Sequence, residues 1–280
     1  MAYVQAKNLH EALRLLAAER WTILSGGTDV YPGSLERPMA SRVMDIHALD
    51  ELKTITHDAS HVRIGAGVTW SDVIAAELPA AFDALKLAAH EIGSVQIQNR
   101  ATIVGNLCNA SPAADGVPPL LVLDAQIELS SLGGIRQIPL QEFILGNRLV
   151  ALQPDEMVTA IVIPVASCKG HSTFMKLGAR KYLIISISMV AAKLRVDENG
   201  LIAEAAVSVG SCSLVAQRLT SLEAALYKQS ITDDLAKIVS VDHLLALSPI
   251  DDVRSSAEYR MQASLELVKR SLSAIGNTFA

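Results

Sequence analysis

Ala101-Thr102-Ile103-Val104-Gly105-Asn106-Leu107-Cys108-Asn109-Ala110-Ser111-Pro112-Ala113-Ala114-Asp115 is the stretch on which the reading of this chain turns. Most of its side chains are small or short hydrogen-bonding groups, and only Asp115 carries a charge. Such a stretch can hold a diphosphate without lysine, because a glycine allows close approach while backbone N–H groups or a helix N-terminus point at the oxygens. Upstream, Ile23-Leu24-Ser25-Gly26-Gly27-Thr28-Asp29-Val30 reads as a short buried strand running into a double-glycine turn. Taken alone, that segment is more often an ordinary turn than a phosphate site. Two such segments in this order point to one extended dinucleotide.

The surrounding residues sharpen the reading. Ile92-Gly93-Ser94-Val95-Gln96-Ile97-Gln98-Asn99-Arg100 leads into the second segment, Leu120-Leu121-Val122-Leu123-Asp124-Ala125 follows it, and Ser248 to Arg260 reads Ser-Pro-Ile-Asp-Asp-Val-Arg-Ser-Ser-Ala-Glu-Tyr-Arg. With these, the chain resembles, nearly end to end, the FAD-binding subunit of the molybdenum hydroxylases, the xanthine dehydrogenase and carbon monoxide dehydrogenase type. The resemblance implies an α+β protein. It would have a two-subdomain FAD-binding fold of the PCMH/vanillyl-alcohol-oxidase-like type, then a smaller C-terminal domain with a three-stranded antiparallel sheet and a helical bundle. The expected domains are 1–56, 57–166 and 171–280.

The resemblance also implies roles. Gly26 and Gly27 would admit the FAD pyrophosphate, and Thr28 with the amides around Leu24, Ser25, Asp29 and Val30 would donate to it; Asp29 itself is expected to cap the next turn, since a carboxylate repels phosphate. Ala101, Thr102, Gly105 and Asn106 would form the second diphosphate and ribityl contacts. Asp115 suits a ribose hydroxyl or an adenine amine. Asn109 and Ser111 either touch the cofactor or close local turns. Ile92 and Val158 fall where contact with the flavin ring is implied, although core positions use the same residue types. Lys176 corresponds to a basic position beside the isoalloxazine, where a cation stabilises the reduced ring; a strand-edge lysine is the plain alternative. Val104 departs from the family, which has a glycine there, and a β-branched residue resists positive φ.

By the same resemblance the chain holds FAD alone. Two [2Fe–2S] clusters in a small subunit and a molybdopterin cofactor in a large subunit would complete an (αβγ)2 enzyme, in which electrons pass from the clusters through FAD to an external acceptor. The alternatives are a self-sufficient FAD-dependent oxidase or reductase of the related fold, and a scaffold subunit without flavin.

Composition is compatible with this. A chain of 280 residues can bury about three quarters of its unfolded surface. The net charge of −5, from 24 basic and 29 acidic residues, argues against a nucleic-acid footprint. Half the residues are hydrophobic and mean hydropathy is +0.32, yet apolar runs such as Ile184 to Ala192 are too short to span a bilayer. The surplus suggests subunit interfaces. No charged and then apolar leader opens the chain, so a cytoplasmic protein is expected. Cys108, Cys168 and Cys212 form no C-x-x-C pair, which excludes a self-contained iron–sulfur or zinc site. Cys108 is expected to fill space and not to react.

Periodicity outlines the elements. Asn8 should cap a helix with Leu9, Ala12, Leu13 and Leu16 on its apolar face, followed by a strand over 21–24. A hairpin is expected from 52–55 and 62–66, a helix from Thr69 or Ser71, and another over 78–91. Strands over 125–129, 135–139 and 157–163 follow, and after a boundary near 164–170 three more at 172–177, 185–196 and 201–209. The last helix should bury Met261, Leu265, Val268, Leu272 and Ile275, with a capping box from Ser255 to Glu258.

Overall fold

The computed structural model describes residues 2–33, 40–181 and 183–279. Its chain divides into two compact units, each assembled from separated stretches: one from Met1–Ala76, Ser94–Ala110 and Ala125–Ile163, the other from Glu77–Gly93, Ser111–Asp124 and Pro164–Ala280. Both mix helices with antiparallel pairing, the α+β class expected.

The first unit opens with β1 (Ala2–Gln5) and β2 (Thr22–Leu24), which both run parallel to β3 (Arg42–Asp45), placed between them. The intervening helix Leu9–Ala18 starts where Asn8 Oδ1 accepts from Glu11 N at 2.8 Å, and it buries Ala12, Leu13 and Leu16. β4 (Ile55–His57), β5 (His61–Gly65), β6 (Gln126–Ser131), β7 (Gly134–Pro139) and β10 (Met157–Pro164) make a second sheet in the order β4-β5-β10-β6-β7, and β8 (Ile144–Gly146) with β9 (Leu149–Val150) forms a small hairpin. The first hairpin strand starts later than periodicity predicts. Asp50–Leu52 is a 3-10 turn, closed by Leu52 N donating to Leu49 O and Lys53 N to Asp50 O, both at 3.0 Å. Thr69 and Asp72 form a reciprocal capping box for helix Trp70–Ala75.

The second unit is built on β11 (His171–Leu177), β12 (Ser188–Val196), β13 (Ile202–Gly210) and the two-residue β14 (Gln217–Arg218), paired antiparallel in that order. β14 is too short to carry a period-two signal, so three strands were legible and a fourth was not. β12 is buried on both faces over Ser188–Leu194, which explains its apolar run Met189–Ala192; Lys193, buried in the same strand, is paired with Glu204 at 2.7 Å. Val190, Ala192 and Leu194 join a core with helices Thr220–Leu226 and Ala257–Gly276, while Met189 and Ala191 pack with Ala84, Ala88 and Val122 from helices Asp83–Glu91 and Val117–Val122. The helix predicted over 78–91 begins at Asp83, after Pro79 and a 3-10 turn at Ala80–Phe82.

The last helix corrects the sequence reading by one residue. Ser255 N donates to Asp252 O at 3.3 Å in a closed turn, so Ser256 becomes the cap and accepts from Tyr259 N at 3.2 Å. Its sheet-facing side is partly polar: Arg260, Ser264 and Ser271 are buried beside Val268, Leu272 and Ile275, with Met261 and Leu265 only partly covered. Among the described residues no helix is long and apolar enough to cross a membrane.

Candidate cofactor site

β2 ends at Leu24, opposite Asp45 of β3, and Ile46 N donates to Leu24 O at 2.9 Å. The chain then leaves the sheet through Ser25 to Asp29 and enters the short helix Val30–Gly33. Gly27 sits at φ +74°, and a Cβ there would lie 2.6 Å from Tyr31 Cε2, so the position excludes other residues on two grounds. Gly26 is excluded for a different reason. Its Cβ would collide with the Arg100 carbonyl and stand 2.8 Å from the Arg100 carbonyl carbon and 3.0 Å from Ala101 Cα. The double glycine therefore lays the first loop backbone to backbone on Arg100 and Ala101. Two segments separate in sequence form one structure.

The second segment is pinned in turn. Ala101 N donates to Ile97 O at 2.7 Å, Trp70 N to Ala101 O at 3.1 Å and Ile103 N to Val68 O at 3.1 Å. Ile103–Asn109 is a helix, not a glycine loop. Thr102 is its cap, with Oγ1 accepting from Gly105 N at 3.1 Å. Val104 lies in the first turn, nine-tenths buried and outside the left-handed residues, so the β-branched side chain that looked obstructive sits where negative φ suits it. The helix closes at Ala110, whose φ is +47°.

Two buried polar atoms in this region have no hydrogen-bond partner: Ser25 Oγ on the first loop and Asn106 Oδ1 on the helix. Leaving a buried polar group unsatisfied costs about 1–3 kcal/mol. Ser25 Oγ can donate to a phosphate oxygen, and Asn106 Oδ1 can accept from a sugar or ribityl hydroxyl; FAD offers both. The residues present therefore fit the cofactor.

The other expected positions are placed as follows. Thr28 is half-buried, Val30 opens the short helix, and Asp29 is exposed with its carbonyl accepting from Gly33 N at 3.1 Å. Asn109 is half-buried, its carbonyl accepting from Arg148 Nη1 at 3.4 Å. Val158 is buried in β10, beside a bulge. Cys108 is open to solvent, yet desolvation by the protein around it pushes its thiol up to about 12, the opposite of what a reactive thiolate requires. Among the described residues no group of three or more His, Cys, Asp and Glu could hold a metal.

Ile92, Asp115 and Lys176 belong to the second unit. Ile92 is half-buried at the end of helix Asp83–Glu91. Asp115 and Lys176 meet: the buried carboxylate accepts from Lys176 Nζ at 2.6 Å and from Ser186 Oγ at 2.5 Å. Burial raises the Asp115 pKa, opposed by the Lys176 charge and by both hydrogen bonds. Ser111, whose two readings were open, closes a turn by accepting from Ala113 N at 3.3 Å. Sequence reasoning missed Ser186, which reaches its partner across 71 positions. It also passed over Arg100 and His47, although Arg100 adjoins the diagnostic stretch.

Known families match nearly the whole chain. Residues 1–166 match the FAD binding domain in molybdopterin dehydrogenase, and residues 173–275 match the CO dehydrogenase flavoprotein C-terminal domain. The chain is 32% identical over 279 residues to the xanthine dehydrogenase FAD-binding subunit of Escherichia coli O157:H7, covering 97% of this chain and 94% of that one. It is 29% identical to the 6-hydroxypseudooxynicotine dehydrogenase complex subunit alpha of Paenarthrobacter nicotinovorans, over 96% of this chain and 92% of the relative. The solved carbon monoxide dehydrogenase of Hydrogenophaga pseudoflava superposes with a TM-score of 0.88 at 26% identity, covering 98% of this chain and 96% of that chain. The chain belongs to the FAD-binding subunits of the molybdenum hydroxylase family, oxidoreductases of the xanthine and carbon monoxide dehydrogenase type.

Proposed function

We propose that this chain is the electron-transfer subunit of a molybdenum-containing hydroxylase or dehydrogenase, assembled with a small iron–sulfur subunit and a large molybdopterin-binding subunit as an (αβγ)2 enzyme in the cytoplasm. When bound, FAD supplies the step between two one-electron clusters and an external acceptor. The observation that supports this most directly is the pair of unpartnered buried atoms, Ser25 Oγ and Asn106 Oδ1, on two segments that meet at Gly26. In this reading Ser25, Thr28 and the backbone between Leu24 and Val30 bind one end of the diphosphate. Thr102 sets the helix that presents Gly105 and Asn106, and Ala101 fixes the join. In the second unit Asp115 holds Lys176 in place.

Absorption spectra test the reading. The purified chain should carry stoichiometric flavin and convert no organic substrate alone. In the assembled enzyme, substrate should bleach the flavin only while the molybdenum subunit is active. A colourless chain that cannot be reconstituted with FAD would favour the scaffold alternative. Rapid reduction of the lone chain by an organic substrate would favour a self-sufficient flavoenzyme.

A further inference from the structure

The glycine loop and the capped helix offer a diphosphate only neutral groups, and the nearest charge in the loop, Asp29, has the wrong sign. Positive charge is nevertheless built into the same place. β2 and β3 end side by side at Leu24 and Asp45, so Gly26 and His47 each stand two residues past the end of a paired strand. The Arg100 backbone is the surface on which Gly26 rests, and Arg100 N is tied to Ile97 O at 3.0 Å. From this fixed point the Arg100 side chain reaches His47, with Nη1 standing 3.4 Å from His47 Nε2. A guanidinium can only donate, so Nε2 is the acceptor.

Among the described residues no ion pair includes Arg100. The neighbouring carboxylate, Asp45, is engaged by His47 N at 2.7 Å and by the Tyr3 hydroxyl at 2.7 Å. An exposed arginine with a single long hydrogen bond to a ring nitrogen, next to a loop holding the unpartnered Ser25 Oγ, is free to give its planar fork to two oxygens of one anion.

We propose that Arg100, braced by His47, is the cation that neutralises the cofactor's diphosphate. The inference rests on the reading that these loops hold FAD. His47 is a positioning residue in it: it orients the guanidinium and touches no phosphate.

The test is a set of equilibrium titrations of the full-length, flavin-stripped chain with FAD, ADP and riboflavin, which share or lack the diphosphate. Arg100→Gln should weaken FAD and ADP roughly 10- to 100-fold, the loss of a charge-assisted contact, and flatten the salt dependence of both. Riboflavin binding and the unfolding midpoint should not move. Arg100→Lys should recover part of the affinity, and His47→Gln should give a smaller loss with the salt dependence retained. If Arg100→Gln binds FAD and ADP as the wild type does, the inference fails while the reading of the site stands. If it weakens riboflavin as much as FAD, Arg100 is structural and the inference also fails. A wild-type chain that binds neither FAD nor ADP overturns both.

Discussion

The glycine loop with its capped helix and the Asp115 cluster are both polar, and they differ in how their polarity is satisfied. In the first, Ser25 Oγ and Asn106 Oδ1 are buried and unpaired. In the second, each Asp115 oxygen has a donor from its own unit, Lys176 or Ser186. A satisfied cluster can stand on its own, whereas buried orphans leave the protein short of hydrogen bonds until something supplies them. The contrast separates residues that hold the fold from residues that await a ligand, and each can be perturbed separately.

The largest effect should come from the satisfied cluster. Lys176→Met leaves Asp115 buried without its counter-charge, and breaking a buried pair in this way costs about 3–5 kcal/mol. Chemical denaturation should show that loss in the stability of the second unit, and Asp115→Asn in the same background should restore much of it. If Lys176→Met changes stability by less than a surface substitution does, the cluster is not a folding element and the contrast collapses.

Gly26→Ala should come next. Its methyl would have to displace the Arg100–Ala101 peptide, and overpacking of this kind costs about 1–3 kcal/mol. Because the displaced peptide joins the two segments, FAD should be lost along with the stability, as read by flavin absorbance after gel filtration.

Ser25→Ala and Asn106→Ala have the opposite signature. Removing an unpaired buried atom should leave the free chain as stable as before or slightly more so, while each lost cofactor bond weakens FAD binding by about 0.5–1.5 kcal/mol, roughly 2- to 13-fold. A large drop in stability of the flavin-free chain would show that these atoms are not waiting for a ligand.

The smallest effect concerns acid. Desolvation would raise the Asp252 pKa, but the Arg254 backbone N–H and the Arg260 and Arg254 side chains outweigh it and hold the carboxyl at about 2. A depressed folded-state value means the stabilisation is present above the ordinary carboxylate range and is lost as pH falls toward about 2. Asp252→Asn should therefore flatten the fall in stability of the second unit between those limits, in denaturant titrations at successive pH values.

How much of this the sequence discloses follows from distance along the chain. The cap at Asn8, a helix start at Thr69 or Ser71 and the runs that form β11 to β13 are local, and they are legible. The one-residue shift to Ser256 depends on the Asp252–Ser255 turn, and the partly polar face of the last helix depends on what it meets. The double glycine announces itself, but not its reason: the collision at Gly26 involves a carbonyl 74 positions away. Val104 misleads because the stretch reads as a loop, and a capped helix makes a β-branched residue ordinary there. Arg100 and His47 are unremarkable letters, 53 positions apart, until the fold puts their side chains 3.4 Å from each other.

The interleaved course of the chain has a consequence for how the protein is made. Ala84 N waits for the Ser172 hydroxyl, 88 residues later, and helix Asp83–Glu91 has no sheet to cover until β11 and β12 exist. At roughly 5–20 residues per second on the ribosome, that helix waits on the order of 4–18 s with its apolar face open. The second unit needs chain from Glu77 through the terminal helix, so a nascent chain stalled before Gly276 holds a finished sheet without its closing layer. Chaperone capture should be strongest in that window, and a ribosome-bound truncation ending near Gly210 should be bound more tightly than one ending at Ala76.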